Sequence, residues 1–135
     1  MGNMAQASER PGGKYTNNIQ MRDHHIYSDE PLALGSADIG PTPFELLCAA
    51  LASCTSITLR MYIDRKKWPV DHIAVDVTHH KIQNEDGLQT DIFTREVKIT
   101  GDVTSEQAGR ILVIANKCPV HRTLERSSHI ETQMG

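Results

Sequence analysis

Among its three cysteines and seven histidines the chain has no Cys-X-X-Cys, His-X-X-X-His or His-Glu-X-X-His spacing. The missing Cys-X-X-Cys argues against a thioredoxin-like redox loop, and the missing histidine pairs remove the common zinc signatures. No glycine-rich phosphate loop occurs, and no Gly-X-Ser-X-Gly elbow. No metal and no cofactor is therefore expected. Basic residues form no stripe. The densest group, Arg65-Lys66-Lys67, is short, and the net charge is −3 with a pI near 6.1. Nucleic acid is thus not expected as a partner. The opening residues lack a charged n-region followed by an apolar h-region, and Gln6 stands where a myristoylation motif needs Ser or Thr. No unbroken apolar run approaches the ~18 residues of a membrane span. The expectation is a cytoplasmic protein without a membrane partner, in a compartment where an odd cysteine count means thiols. Solenoid-period repeats and low-complexity blocks are absent too.

What is present fits one globular domain. With 135 residues, 39% hydrophobic and 23% charged, the chain can bury about two-thirds of its unfolded surface and needs no disulfide staples. Residues 1–13, ending in Glu9-Arg-Pro-Gly-Gly13, read as a flexible lead-in, and 14–135 as a single domain. Short strand-like pieces surround Tyr15, Ile19, Met21 and Ile26-Tyr27. The segment 29–43 is rich in Gly, Pro and Asp and reads as turn and loop, with room for a brief strand at Leu32–Leu34.

A helix begins at Pro43, with Thr42 as cap and Glu45 in the first turn. From Leu46 to Cys54 every residue but Ser53 is apolar, which is the pattern of a central, buried helix. It ends before Pro69. Residues 71–83 and 92–100 alternate in polarity, with Ile73, Val75 and Val77 on one face of the first and Phe93, Arg95, Val97 and Ile99 in phase on the second. The turn Asn84–Gly87 joins them into a hairpin. Thr104-Ser-Glu-Gln107 is a capping box for a second helix whose apolar side is Ile111, Leu112, Ile114 and Ala115. Pro119 ends that helix near Lys117 and suits the first position of a third, 119–125. Residues 128–133 can add an edge strand. The fold class is α+β: antiparallel strands around a buried helix, plus a second helix.

The cysteines differ in setting. Cys118 lies just before the proline-initiated helix, close to an N-cap, with Lys117, His121 and Arg122 nearby, and such surroundings lower a thiol pKa. Cys54 sits mid-helix among apolar residues, where burial raises the pKa unless a cation comes from elsewhere in the fold. Cys48, six residues earlier, points to the other side of the helix. A Cys54–Cys118 contact is geometrically open. Most free cysteines only pack, and Cys48 is assigned to that class. The adjacent pairs His24-His25 and His79-His80 fall on strands and point to opposite faces.

Taken together, GPTPFELLCAALASCTSITLRMY and, far downstream, IANKCPVHRTL resemble the OsmC/Ohr family of osmotically inducible and organic hydroperoxide resistance proteins, and in particular its OsmC-like branch. The likeness runs from about Tyr15 to the end. It implies an OsmC-like fold, with antiparallel sheets wrapped around long central helices in an intertwined homodimer. It further implies a thiol peroxidase: Cys54 attacks a hydroperoxide, Cys118 resolves the sulfenic acid as a disulfide, and a small thiol or a dihydrolipoyl-type reductant resets the pair. An arginine and a glutamate hold the first thiolate in that family. Arg22, in Met-Arg-Asp, matches the arginine. The glutamate directly follows the junction proline in the family, whereas here that position is Phe44 and the acid is Glu45. One residue turns a side chain by ~100° on a helix, so Glu45 either still reaches the arginine or serves only the helix dipole. An apolar rim of Phe44, Leu47, Leu51 and Ile57 would favour organic hydroperoxides over hydrogen peroxide. Two other readings stand beside this one. In one, the cleft binds or senses small hydrophobic or thiol-reactive molecules without efficient turnover. In the other, the thiols are structural.

Overall fold

The computed structural model describes residues 2–135. Two compact units are found, one ending at Leu47 and the other Cys48–Gly135. The first unit holds a three-stranded antiparallel sheet in the order β1 (Gln6–Glu9), β2 (Asn17–Met21), β3 (His24–Ser28). Residues 6–9, expected in a flexible lead-in, pair with β2 from Gln6 opposite Gln20 to Glu9 opposite Asn17. Backbone ladder bonds order this polar segment, which no hydrophobic pattern could have revealed.

Asp29 organises the loop that follows. It is 1% exposed. Its carboxylate accepts hydrogen bonds from the Thr16 hydroxyl (3.0 Å), the Ser36 hydroxyl, the Glu30 amide (2.8 Å) and the Ile39 amide (3.2 Å). Burial pushes this carboxyl up, but the bonds from Ser36, Glu30, Ile39 and Thr16 outweigh burial and hold its pKa at about 2. The brief strand expected at Leu32–Leu34 is instead a 3-10 turn, closed by Gly35 at φ 84°. The carboxylate draws the chain around itself, and a strand could not follow that path. Gly40 has a similar constraint, since a Cβ there would lie 2.2 Å from the Tyr27 carbonyl oxygen.

Helix α1 (Pro43–Lys66) starts in the first unit and runs through the second. Its C-terminus is held by a Schellman arrangement: the Trp68 amide donates to the Ile63 carbonyl (3.2 Å), the Lys67 amide donates to Asp64 (3.1 Å), and Lys67 takes the left-handed conformation at φ 57°. Leu51, Thr55, Leu59, Tyr62 and Ile63 are its buried residues, spaced to share one face. The helix expected to be buried all round is therefore covered on one face within this chain. Phe44, Leu47, Ile57 and Met61 are exposed. Its most apolar 18-residue stretch has a mean hydropathy of 1.5, so length and composition alone would let it cross a membrane, as would a core helix of a soluble protein. No unbroken apolar run shows this, because serines and threonines interrupt the stretch.

In the second unit, β4 (Val70–Gln83) and β5 (Gln89–Gly101) form the long antiparallel hairpin. Helix α2 (Ser105–Ala115) has both capping-box bonds, from the Gln107 amide to Thr104 Oγ1 (3.1 Å) and from the Thr104 amide to Gln107 Oε1 (2.9 Å). Helix α3 is Pro119–Glu125. Leu112, expected on the apolar side of α2, is exposed, and residues 128–133 form no strand. The core consists of Leu59, Tyr62, Ile63, Val70, Ile111, Ile114 and Ala115, flanked by Trp68, Ile73, Val97, Ile99 and Val103.

Two outcomes are expected from this packing. Leu59 is fully buried at the centre of the core, so Leu59→Ala should cost about 2–5 kcal/mol in a denaturant titration. Asp29→Asn places an amide where four donors converge and should lower the melting temperature. The contribution of Asp29 is complete above its ordinary pKa of 3.8 and is lost as the pH falls through about 2. The gap between wild type and Asp29→Asn, followed by thermal melts, should therefore close across that window.

Candidate active site

The residues that gather around sulfur come from α1, β5 and the α2–α3 junction. Pro119 forces a break after α2 and starts α3, which leaves Cys118 as the α3 N-cap. The His121 amide donates to its sulfur at 3.5 Å. Cys118 is fully buried, whereas Cys54 is partly exposed, and both are free thiols close enough to influence each other's ionisation. Thr55, next to Cys54 but on the buried face of α1, and the Val120 amide also lie near enough to favour charge on Cys118.

The two thiols are pushed in opposite directions. Burial is the largest influence on Cys118 and acts upward, but the bonds from Cys54, the His121 amide, Thr55 and the Val120 amide outweigh it and lower the pKa. For Cys54 burial comes first, and donation to Cys118 adds to it, so its pKa is raised against the weaker pull of the Val120 amide and Thr58. Of the two sulfurs, Cys118 is therefore the one that gives up its proton more readily, and Cys54 the one that keeps it. The sequence pointed to Cys118 as the thiol with a lowering environment and to Cys54 as needing an outside cation. No cation is among the leading influences on Cys54.

Arg95 went unrecognised as a site residue. It lies in phase with Phe93, Val97 and Ile99 on β5, and a charge on an otherwise apolar strand face was the available signal. Its Nη1 donates to Thr55 Oγ1 (3.0 Å), and its Nη2 donates to Asn116 Oδ1 (2.8 Å) and His121 Nδ1 (3.1 Å). An arginine only donates, so Nδ1 of His121 accepts and its other nitrogen carries the hydrogen. That Nε2 lies 3.2 Å from Glu125 Oε1. A groove of about 390 Å³ opens here, lined by Leu51, Ile92, Phe93 and Leu124 with Asp91, Arg95, His121 and Glu125.

The other expected site residues are distributed as follows. Leu51 lines the Arg95 groove. Ile57 lines a different one with Ser56, Arg60, Met61, His72 and Ile73. Phe44 and Leu47 are exposed in the first turns of α1, within the first unit. Glu45 also belongs to that unit, and its carboxylate accepts from the Thr42 amide (2.9 Å) while its own amide donates to Thr42 Oγ1 (3.2 Å). Glu45 thus closes a capping box. Arg22 occupies the two-residue turn between β2 and β3 in the left-handed region (φ 54°), with Nη2 3.3 Å from His24 Nε2. Among the described residues no group of three or more His, Cys, Asp or Glu side chains is placed to hold a metal ion.

A family model described as OsmC-like protein matches residues 35–133. The chain belongs to the OsmC-like family. No curated protein matches this OsmC-like chain. Among solved structures it resembles an OsmC-like protein from Mycoplasma pneumoniae (TM-score 0.77, 19% identity, 93% of this chain and 88% of that one). It also resembles an organic hydroperoxide resistance protein from Legionella pneumophila (0.70, 16%, 92% and 89%) and one from Elizabethkingia anophelis (0.70, 22%, 90% and 86%). At these identities the likeness establishes the α+β fold with antiparallel sheets.

The split between the two thiols has a direct readout. Reduced protein titrated by ultraviolet thiolate absorbance should show one thiolate forming below the ordinary 9.0 of a cysteine. Cys118→Ser should abolish that transition and Cys48→Ser should leave it in place. Cys54→Ser, which replaces one donor by another, should shift it only slightly.

Proposed function

We propose that this protein is a thiol peroxidase that reduces organic hydroperoxides in oxidative stress defence. The observation that carries the reading is the contact between Cys54 and Cys118, two thiols far apart in sequence and oppositely tuned. Family membership and the theme of organic hydroperoxide resistance among the structural neighbours support it.

The chemistry starts with the shared proton. Transfer of that proton from Cys54 to Cys118 leaves a thiolate on the more accessible sulfur. This thiolate attacks the hydroxyl oxygen of the hydroperoxide, an S–O bond forms as the O–O bond breaks, and the leaving alkoxide takes the proton held by Cys118 to become an alcohol. Cys54 is then a sulfenic acid. Cys118, a thiolate again once the alkoxide has taken its proton, attacks that sulfur. The disulfide forms and hydroxide departs, becoming water on protonation. A small thiol or a dihydrolipoyl-type dithiol resets the pair and is itself oxidised to a disulfide. In this reading the protein is a cytoplasmic homodimer, the exposed face of α1 meets its counterpart, and Arg22 stabilises the reacting thiolate and orients the peroxide.

A second reading has its own support. Glu45 is committed to the cap of α1, and Cys54 carries the raised pKa. Both favour an OsmC-like protein that binds or senses small hydrophobic or thiol-reactive molecules in a cleft without rapid turnover.

A thiol count separates the two. Exposure of reduced protein to a small excess of cumene hydroperoxide should consume two of the three thiols, faster than hydrogen peroxide does, and Cys54→Ser should abolish turnover with dihydrolipoamide. Retention of all three thiols with both oxidants, or full turnover by Cys54→Ser, would refute the peroxidase.

A further inference from the structure

Thr55 has one hydroxyl hydrogen and two acceptors within its reach. One is the Leu51 carbonyl, at 2.7 Å in the preceding turn of α1. The other is the Cys118 sulfur. The Thr55 oxygen in turn accepts from Arg95 at 3.0 Å. The same guanidinium holds Asn116, the C-cap of α2, and the ring of His121, whose amide caps onto Cys118. One strand residue is therefore tied to the middle of α1, the C-cap of α2 and the first turn of α3, the three elements that surround the sulfur.

We propose that Arg95 is the positioning residue of the thiol pair, holding the Thr55 hydroxyl and the first turn of α3 in the arrangement that stabilises a thiolate at Cys118. The proposal deepens the redox reading of the pair and rests on it. Its physical basis is the fork of the guanidinium. Three acceptors on three elements are met by one rigid, planar donor set, which a flexible ammonium cannot reproduce. With the fork in place, the Thr55 oxygen is already an acceptor, so its hydrogen is left for the backbone carbonyl or the sulfur. The imidazole of His121 is pinned between Arg95 and Glu125, and this fixes the orientation of the His121 and Val120 amides. Without it, the Thr55 oxygen loses the donor that holds it beside Cys118, and the loop at Asn116 to Cys118 loses its tie to β5. The charged and titratable groups facing the pair are the two thiols themselves, Arg95 from β5, and His121 with Glu125 from α3.

The test uses the full-length reduced protein with Cys48→Ser, so that only the pair reports. Arg95→Met and Arg95→Lys are compared with the parent by thiolate absorbance against pH, with circular dichroism to establish that each is folded. The expected result is an upward shift of the lower transition by about one unit in Arg95→Met, which is close to a tenfold loss of thiolate below the transition. Arg95→Lys retains the charge and loses the fork, and should shift in the same direction. Thr55→Val should shift it too, and by less than additively when combined with Arg95→Met. An unshifted transition in folded Arg95→Met would overturn the proposal. Should that variant not fold, an unshifted transition in Arg95→Lys has the same force, because charge alone would then suffice. The titration reads no turnover. A shifted transition in a protein that spares hydroperoxides would sink the peroxidase and keep Arg95 in its role, while an unshifted one with intact turnover would do the reverse.

Discussion

A negative charge on a buried sulfur has to be met by hydrogen bonds, because water is not there to meet it. Around Cys118 that requirement draws on α1 through Cys54 and Thr55, on the first turn of α3 through the Val120 and His121 amides, and on β5 through Arg95. Much of the second unit can be understood as the frame that supplies these donors. The core of Leu59, Tyr62, Ile63, Ile111 and Ile114 holds α1 against α2, and α2 ends at Asn116, the residue that β5 grips through Arg95.

The proton shared by the sulfurs then divides their work. Burial without a cation would leave Cys54 inert, but a neighbour that prefers the charge gives it a base within contact. In the proposed peroxidase the more exposed sulfur would meet the oxidant, and the buried one would close the bond. Such a division needs no metal and no external base, only unequal surroundings for two like groups.

Local chemistry made parts of this legible in the sequence. Pro119 and Cys118 announce the start of α3, Thr104 and Gln107 announce α2, and the alternation around Ile73 and Val97 announces the hairpin, because each depends on residues close by in the chain. The thiol pair was anticipated from a family likeness and from the setting of Cys118. Other features were hidden. Arg95 shows in the sequence only as a charge among Phe93, Val97 and Ile99, and its three acceptors come from distant elements. Strand β1 consists of backbone pairing on polar residues. The 3-10 turn at Leu32–Leu34 follows from a carboxylate, Asp29, that binds both before and after itself in the chain. Exposure of Phe44, Leu47, Ile57 and Met61 on α1 could not be seen from composition, since a helix apolar on all sides says nothing about which side its own chain covers.

Cys118 is both the reagent proposed here and the acceptor that begins a helix. A sulfur drawn into a disulfide gives up its charge and most of its power to accept, so the amides of Val120 and His121 lose their partner when the bond forms. Oxidation thereby reaches past the two side chains into the backbone of α3, and from there, by way of His121, to the wall of the groove beside Arg95. The redox state of the pair would be written in the firmness of one short helix, where a reductant arriving at the groove could read it.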